Sequence, residues 1–199
     1  TLQNPAGGTN ASVGSQATFT LTITGTPQDT TTPVPISRLR NNNSDGVPVD
    51  SGKYFTIQGV ITVGNELNSP SYMQDGTAGV AVYGRGTGQF SSKVSIGDSI
   101  KVRGRLTHFR GLTQMDSATL ITTYTNNKPI TPKVLTIPEI TGQTWNGFEA
   151  YEGMLIEVKN VKCDSSGLWL GNTNYIIYNG ANTIAFRPTT GISLVGQPI

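Results

Sequence analysis

A chain of 199 residues can bury a real core and, at roughly 150 residues per domain, form one or two domains. Only 13% of it is charged and the formal net charge is +2, too little to mark a nucleic-acid protein by bulk charge, so a polyanion site would have to be a local patch. A lone cysteine, Cys163, excludes an internal disulfide framework and a cysteine-rich zinc site, and no run of about 20 apolar residues is present to span a membrane.

Gly, Thr, Asn, Ser and Pro are plentiful, which favours β-strands joined by turns and leaves few helices. The opening "TLQNPAGG" lacks Met and reads as a fragment or a processed form, with no visible signal peptide. In "ATFTLTITG", Phe19, Leu21 and Ile23 alternate with Thr, the pattern of one strand; residues 1–33 read as the end of a preceding β-sandwich, or an added strand, plus the linker "TPQDTTTPVP". "ISRLRNNNSDG" has room for no more than one helical turn. "YFTIQGVITV" then puts Phe55, Ile57, Ile61 and Val63 on one face and Thr56, Gln58 and Thr62 on the other, with Gly59 marking a bulge or bend.

"SYMQDGTAGVAVYGRG" holds two alternating runs around Asp75-Gly76, the signature of a hairpin with a two-residue loop. Met73, Val80 and Val82 point inward, so Tyr72, Gln74, Ala81 and Tyr83 point outward. In "SIKVRGRLT", Ile100, Val102, Gly104 and Leu106 face the core, while Lys101, Arg103 and Arg105 share the other side. Strands are predicted at 54–63, 71–75, 79–83, 99–107 and 112–121, with a long Gly- and Ser-rich connection between the third and fourth. A bent first strand, two hairpins and that connection describe an all-β chain built on an OB-fold, a five-stranded Greek-key barrel.

The run "ITVGNELNSPSYMQDGTAGVAVYG" followed by "IGDSIKVRGRLTHFRGLTQM" resembles the OB-fold modules of secreted bacterial multidomain proteins of the Bacteroidetes type, such as extracellular nucleases and surface lipoproteins. The family pattern is met in order by Gly59, Val60, Tyr72, Gln74, Asp75, Gly76, Gly79, Val82, Tyr83, Gly97, Asp98, Val102, Gly104, Gly111, Leu112, Thr113 and Gln114, over a domain at 34–125. The resemblance implies a secreted or cell-surface location and neighbouring domains in the same chain. The first 25 residues resemble the last strands of Calx-beta-type sandwiches, on "NPAGG" before a Thr-rich strand; "TGTPQDTTTP" stands where that family has an acidic calcium-binding run, so no calcium site is carried over. Residues 126–199 read as a linker and a second, partial OB-like repeat: "YEGMLIEVKNVKC" restates the first strand, which puts Cys163 on an inner face, and "GLWLGNTNYIIYNG" restates the hairpin. The partial copy either packs on the first barrel or is half of a longer domain.

His108 is the only histidine, so triads and paired-His metal sites lack members, and no enzyme activity, metal or cofactor is expected of this segment; an enzyme domain elsewhere in the full-length protein stays open. Asp75 and Asp98 sit in "QDG" and "GDS" turns, where aspartate bonds to the local backbone. "GRGTG" lacks the Lys-Ser/Thr and the helix of a P-loop. The residues suited to a ligand are Tyr72, Gln74 and Tyr83 on the hairpin face, Arg103 and Arg105 on the basic stripe, and Arg85, His108, Phe109 and Arg110 in bordering loops. Rings there stack on bases or sugars, and cations meet phosphates. The expected role is a non-catalytic binding module for single-stranded nucleic acid, with an oligosaccharide-binding module or a structural spacer of a surface protein as alternatives, and no membrane insertion.

Overall fold

The structure is a computed structural model that describes residues 31–84, 90–143, 149–190 and 192–199. The Thr-rich strand expected before Gly25, the first half of the first linker, and Arg85 within "GRGTG" lie outside the described residues.

The molecule is nearly all-β. Strands β1 (Pro33–Val34), β2 (Tyr54–Val63), β3 (Ser71–Gln74), β4 (Gly79–Gly84), β5 (Ser99–Phe109) and β6 (Leu112–Thr125) form one sheet in the order β1-β2-β3-β4-β6-β5. Pairing of β2 with β5 closes strands β2 to β6 into a barrel. All barrel ladders are antiparallel except β4 with β6, so the connection from β4 to β5 passes over one end of the barrel. That closed five-strand mixed arrangement is an OB-like barrel.

Alternation fills its interior. Phe55, Ile57 and Ile61 from β2, Met73 from β3, Val80 and Val82 from β4, Ile100, Val102 and Leu106 from β5 and Met115 from β6 are all buried in one cluster. Phe90 and Val94, flanking a 3-10 turn at Ser91–Lys93, close the end where β4 leaves off. The opposite end is plugged by a 3-10 turn at Ile36–Arg40, whose Ile36 and Leu39 are fully buried. Sequence reading allows that turn but assigns it no core role, because a five-residue stretch has too little periodicity to show a buried face.

Three local features differ from expectation. The β3–β4 loop is not a two-residue turn: Gln74 pairs with Gly79, which leaves Asp75 to Ala78 as a four-residue loop. Asp75 builds it, its Oδ1 accepting from Thr77 N (2.7 Å) and Ala78 N (3.0 Å), while Oδ2 accepts from Ile36 N (2.8 Å) and so ties the plug to the hairpin. The irregularity in β2 falls between Ile61 and Val63. Gly59 serves a different purpose, since a Cβ there would lie 2.5 Å from the carbonyl oxygen of Gln74. Thr56 and Thr62, on the polar side of the alternation, are buried.

After Thr125 the chain adds two smaller sheets. Strand β7 (Lys133–Leu135) pairs in parallel with β8 (Ile156–Val158), and β9 (Lys162–Cys163), β10 (Tyr175–Asn179) and β11 (Asn182–Phe186) form an antiparallel sheet. A short helix, α1 (Ile137–Thr141), starts at a capping box between Thr136 and Glu139. The hairpin of this half is β10–β11, one strand further along than "GLWLGNTNYIIYNG" suggests. Its two-residue loop begins at Gly180 (φ 60°), a conformation glycine adopts without steric cost. Trp169 packs edge-on against Tyr175 (4.7 Å between ring centroids) and Phe186 (5.5 Å) to make the small core. Cys163 is half-buried opposite Ile177.

Candidate functional site

The basic stripe is the best-formed candidate. Strand β5 lies between β2 and β6, and its outward residues meet partners on both sides: Lys101 lies between Gln58 and Thr122, Arg103 between Thr56 and Thr119, and Arg105 between Tyr54 and Asp116. Like charges two residues apart repel unless something offsets them. Here the guanidinium of Arg103 lies 4.8 Å from the centre of the Tyr54 ring, a diagonal cross-strand contact, and Arg105 pairs with Asp116 at 3.2 Å. Tyr54, Arg103, Arg105, Ser117, Thr119 and Ile121 line an open groove of about 500 Å³. A bulge shapes its β6 wall: the β6 ladders to β4 and to β5 both slip near Asp116 and Ser117, and Ser117 holds φ at 53°. Bulges of this kind re-aim side chains.

Sequence reading finds Arg103 and Arg105 but misses Tyr54. Its signal is the even-numbered alternation it shares with Thr56 and Gln58, which becomes useful only once the β2–β5 register is known.

The β5–β6 hairpin tip continues the stripe. Phe109 is 58% exposed and Arg110 caps its ring at 5.1 Å. Arg110 (φ 51°) and Gly111 (φ 88°) form the two-residue loop, the left-handed pair such a turn requires. At about 3.3 Å per residue, Phe109 stands about 20 Å along β5 from Arg103. His108 sits opposite Thr113 and is half-buried.

The hairpin face is a separate surface. Tyr72, Gln74 and Tyr83 are partly buried on the outside of β3 and β4, separated from Arg103 and Arg105 by β2 on one side and β6 on the other. Burial pushes the Tyr72 phenol above its ordinary value, with Tyr83 and Glu152 adding to the shift, and burial raises Tyr83 as well. What meets this face is the chain itself. Leu155 N–H donates to Gln74 Oε1 (3.0 Å), and Gly153 lies so close to Gly79 that a Cβ on Gly79 would lie 2.2 Å from the Gly153 oxygen.

That crossing is fastened by Arg40, whose side chain is wholly buried. It pairs with the Glu152 carboxylate and donates to the backbone oxygens of Gly79 (2.6 Å) and Glu152 (2.6 Å), while Thr113 N–H donates to Glu152 Oε1 (2.7 Å). Burial pushes the Glu152 carboxyl up against the opposing pull of Arg40 and of the Thr113 N–H. Burial likewise lowers the guanidinium of Arg40. Desolvation thus exceeds attraction for both partners, the usual balance for a buried ion pair.

Asp75 and Asp98 take backbone N–H groups, as turn aspartates do; Asp98 Oδ2 accepts from Ser95 N at 2.8 Å. Among the described residues no group of three or more His, Cys, Asp or Glu could hold a metal ion, and no helix is long and apolar enough to cross a membrane. No family model matches the chain, and no curated protein or solved structure matches it significantly.

Proposed function

We propose that this chain is a non-catalytic binding module that takes single-stranded nucleic acid along the outer face of β5, within a secreted or cell-surface multidomain protein. The observation that carries the reading is Arg103 stacked on Tyr54 beside Arg105 in one open groove. A guanidinium on an aromatic ring is a flat cationic platform suited to the π-face of a base, and the neighbouring arginine suits a phosphate. Phe109 with Arg110 repeats the combination further along the strand, which favours an extended ligand over a compact one. The secreted location rests on the family resemblance alone. A neutral oligosaccharide would use the rings and hydroxyls but leave the cations idle. A structural spacer is the second reading, favoured by the chain's own cover over Gln74 and Gly79.

The test is fluorescence anisotropy of a labelled oligothymidylate at several salt concentrations, with a neutral glucan oligomer alongside. Tyr54→Ala should weaken oligonucleotide binding by about 1–3 kcal/mol, one stacked base. Three engaged cations set a limit of about −2 on the log–log salt slope, at about −0.7 per phosphate on a single strand. Tyr72→Ala with Tyr83→Ala should change affinity less than Tyr54→Ala; a larger loss would move the ligand to the hairpin face. Absence of saturable oligonucleotide binding at low salt overturns the nucleic-acid reading. Glucan binding that needs the same rings would then make the site a sugar site, and binding of neither would leave the spacer.

A further inference from the structure

We infer that Asp116 is a built-in competitor in the β5 groove: its carboxylate holds Arg105 where a phosphate of the ligand would sit, so binding proceeds by exchange of one anion for another. The inference rests on the nucleic-acid reading above and adds a residue that sets affinity and selectivity. Four observations support it. Asp116 is the cross-strand neighbour of Arg105, and the pair joins one guanidinium nitrogen to Oδ2 at 3.2 Å. Both side chains are partly exposed, 45% and 35%, so the contact is neither bidentate nor desolvated and is of the weak class.

The two partners are anchored unequally. Asp116 Oδ1 accepts from Ser117 N–H at 2.6 Å inside the bulge, which fixes the carboxylate to the backbone, whereas Arg105 makes no other side-chain hydrogen bond among those described. Arg105 is therefore the partner able to swing without disturbing β6. Finally, the hydroxyl-bearing Ser117 and Thr119 line the same groove and suit the phosphate oxygens that would replace the carboxylate. The plainer account, an exposed ion pair that only stabilises the β5–β6 ladder, predicts no gain in binding that depends on Arg105.

The two accounts separate in the same titration. Asp116→Asn keeps the side-chain oxygen that accepts from Ser117, so the bulge is retained. It should tighten oligothymidylate about two- to fivefold at low salt, the range of a contact in this weak class. The salt slope should steepen by up to about 0.7, because no displaced carboxylate takes up a counterion. The gain should vanish in an Arg105→Gln background. Asp164→Asn, which makes the same change in net charge outside the barrel, should shift affinity less than twofold. Unchanged affinity and slope in Asp116→Asn, or an equal gain from Asp164→Asn, would overturn the inference while a Tyr54→Ala loss kept the nucleic-acid reading alive. Failure of every protein, wild type included, to bind the oligonucleotide would overturn both.

Discussion

Arg40 and Glu152 show how much one residue can bear in a chain with few charges. The pair joins the end plug, β4 and β6 to the 149–155 segment, and its members are among the least exposed charged side chains described. Arg40→Ala strands a buried carboxylate and should cost about 3–5 kcal/mol, read as a fall in Tm, whereas Arg40→Met with Glu152→Leu should cost far less because both charges leave together. Asp75 has a pH signature instead. Burial alone would raise its carboxyl, but hydrogen bonds from Ile36 N, the Thr77 hydroxyl, Thr77 N and Ala78 N outweigh burial and hold it below the ordinary aspartate range. Since its folded value lies below the unfolded one of about 3.9, its contribution is present above that pH and is lost as pH falls through the folded value. Urea midpoints measured on the acid side should fall more steeply in wild type than in Asp75→Asn. The turn role of Asp75 is legible in "QDG"; its bond to Ile36 is not, because 39 residues separate the two.

At the scale of elements, strands read well and connections read poorly. Alternation locates all five barrel strands, since one face of each must be apolar to fill the interior. The β5–β6 loop is shorter than the predicted strand bounds of 107 and 112 leave, and the β3–β4 loop is longer than Asp75-Gly76 suggests. At Gly111 a Cβ would meet nothing within 4 Å, so Gly111→Ala is opposed by backbone conformation alone and should cost about 1–2 kcal/mol by chemical denaturation. At Gly79 the reverse holds: a Cβ would run into Gly153, so Gly79→Ala should lift the 149–155 segment from the hairpin. Its expected sign is faster hydrogen exchange at Leu155 N–H, whose acceptor is Gln74, while β2 and β5 amides stay protected. Equal loss of protection in both places would mean that segment and barrel open together.

For the whole molecule, apolar burial is unevenly shared. The barrel has one large cluster from five strands and two end plugs, while the last sheet rests on Trp169, Tyr175 and Phe186 and leaves Leu168, Leu170 and Ile176 exposed. Native-state hydrogen exchange should therefore show β10 and β11 amides opening at lower free energy than those of β5, the pattern of separate cooperative units. Ile57→Ala, at a fully buried barrel position, should cost about 2–5 kcal/mol and lower protection in all five barrel strands at once. The all-β class, the five strands, their inward residues and the cations of β5 follow from the sequence by itself, because period-two alternation and turn chemistry are local and repeat within a few residues. Only the tertiary structure decides that Tyr54 stands beside Arg103, that Asp116 meets Arg105, and that the chain's own backbone meets Gln74. Those contacts depend on strand register and on closure of the barrel, and a one-residue slip in either would turn the same side chains to the opposite face.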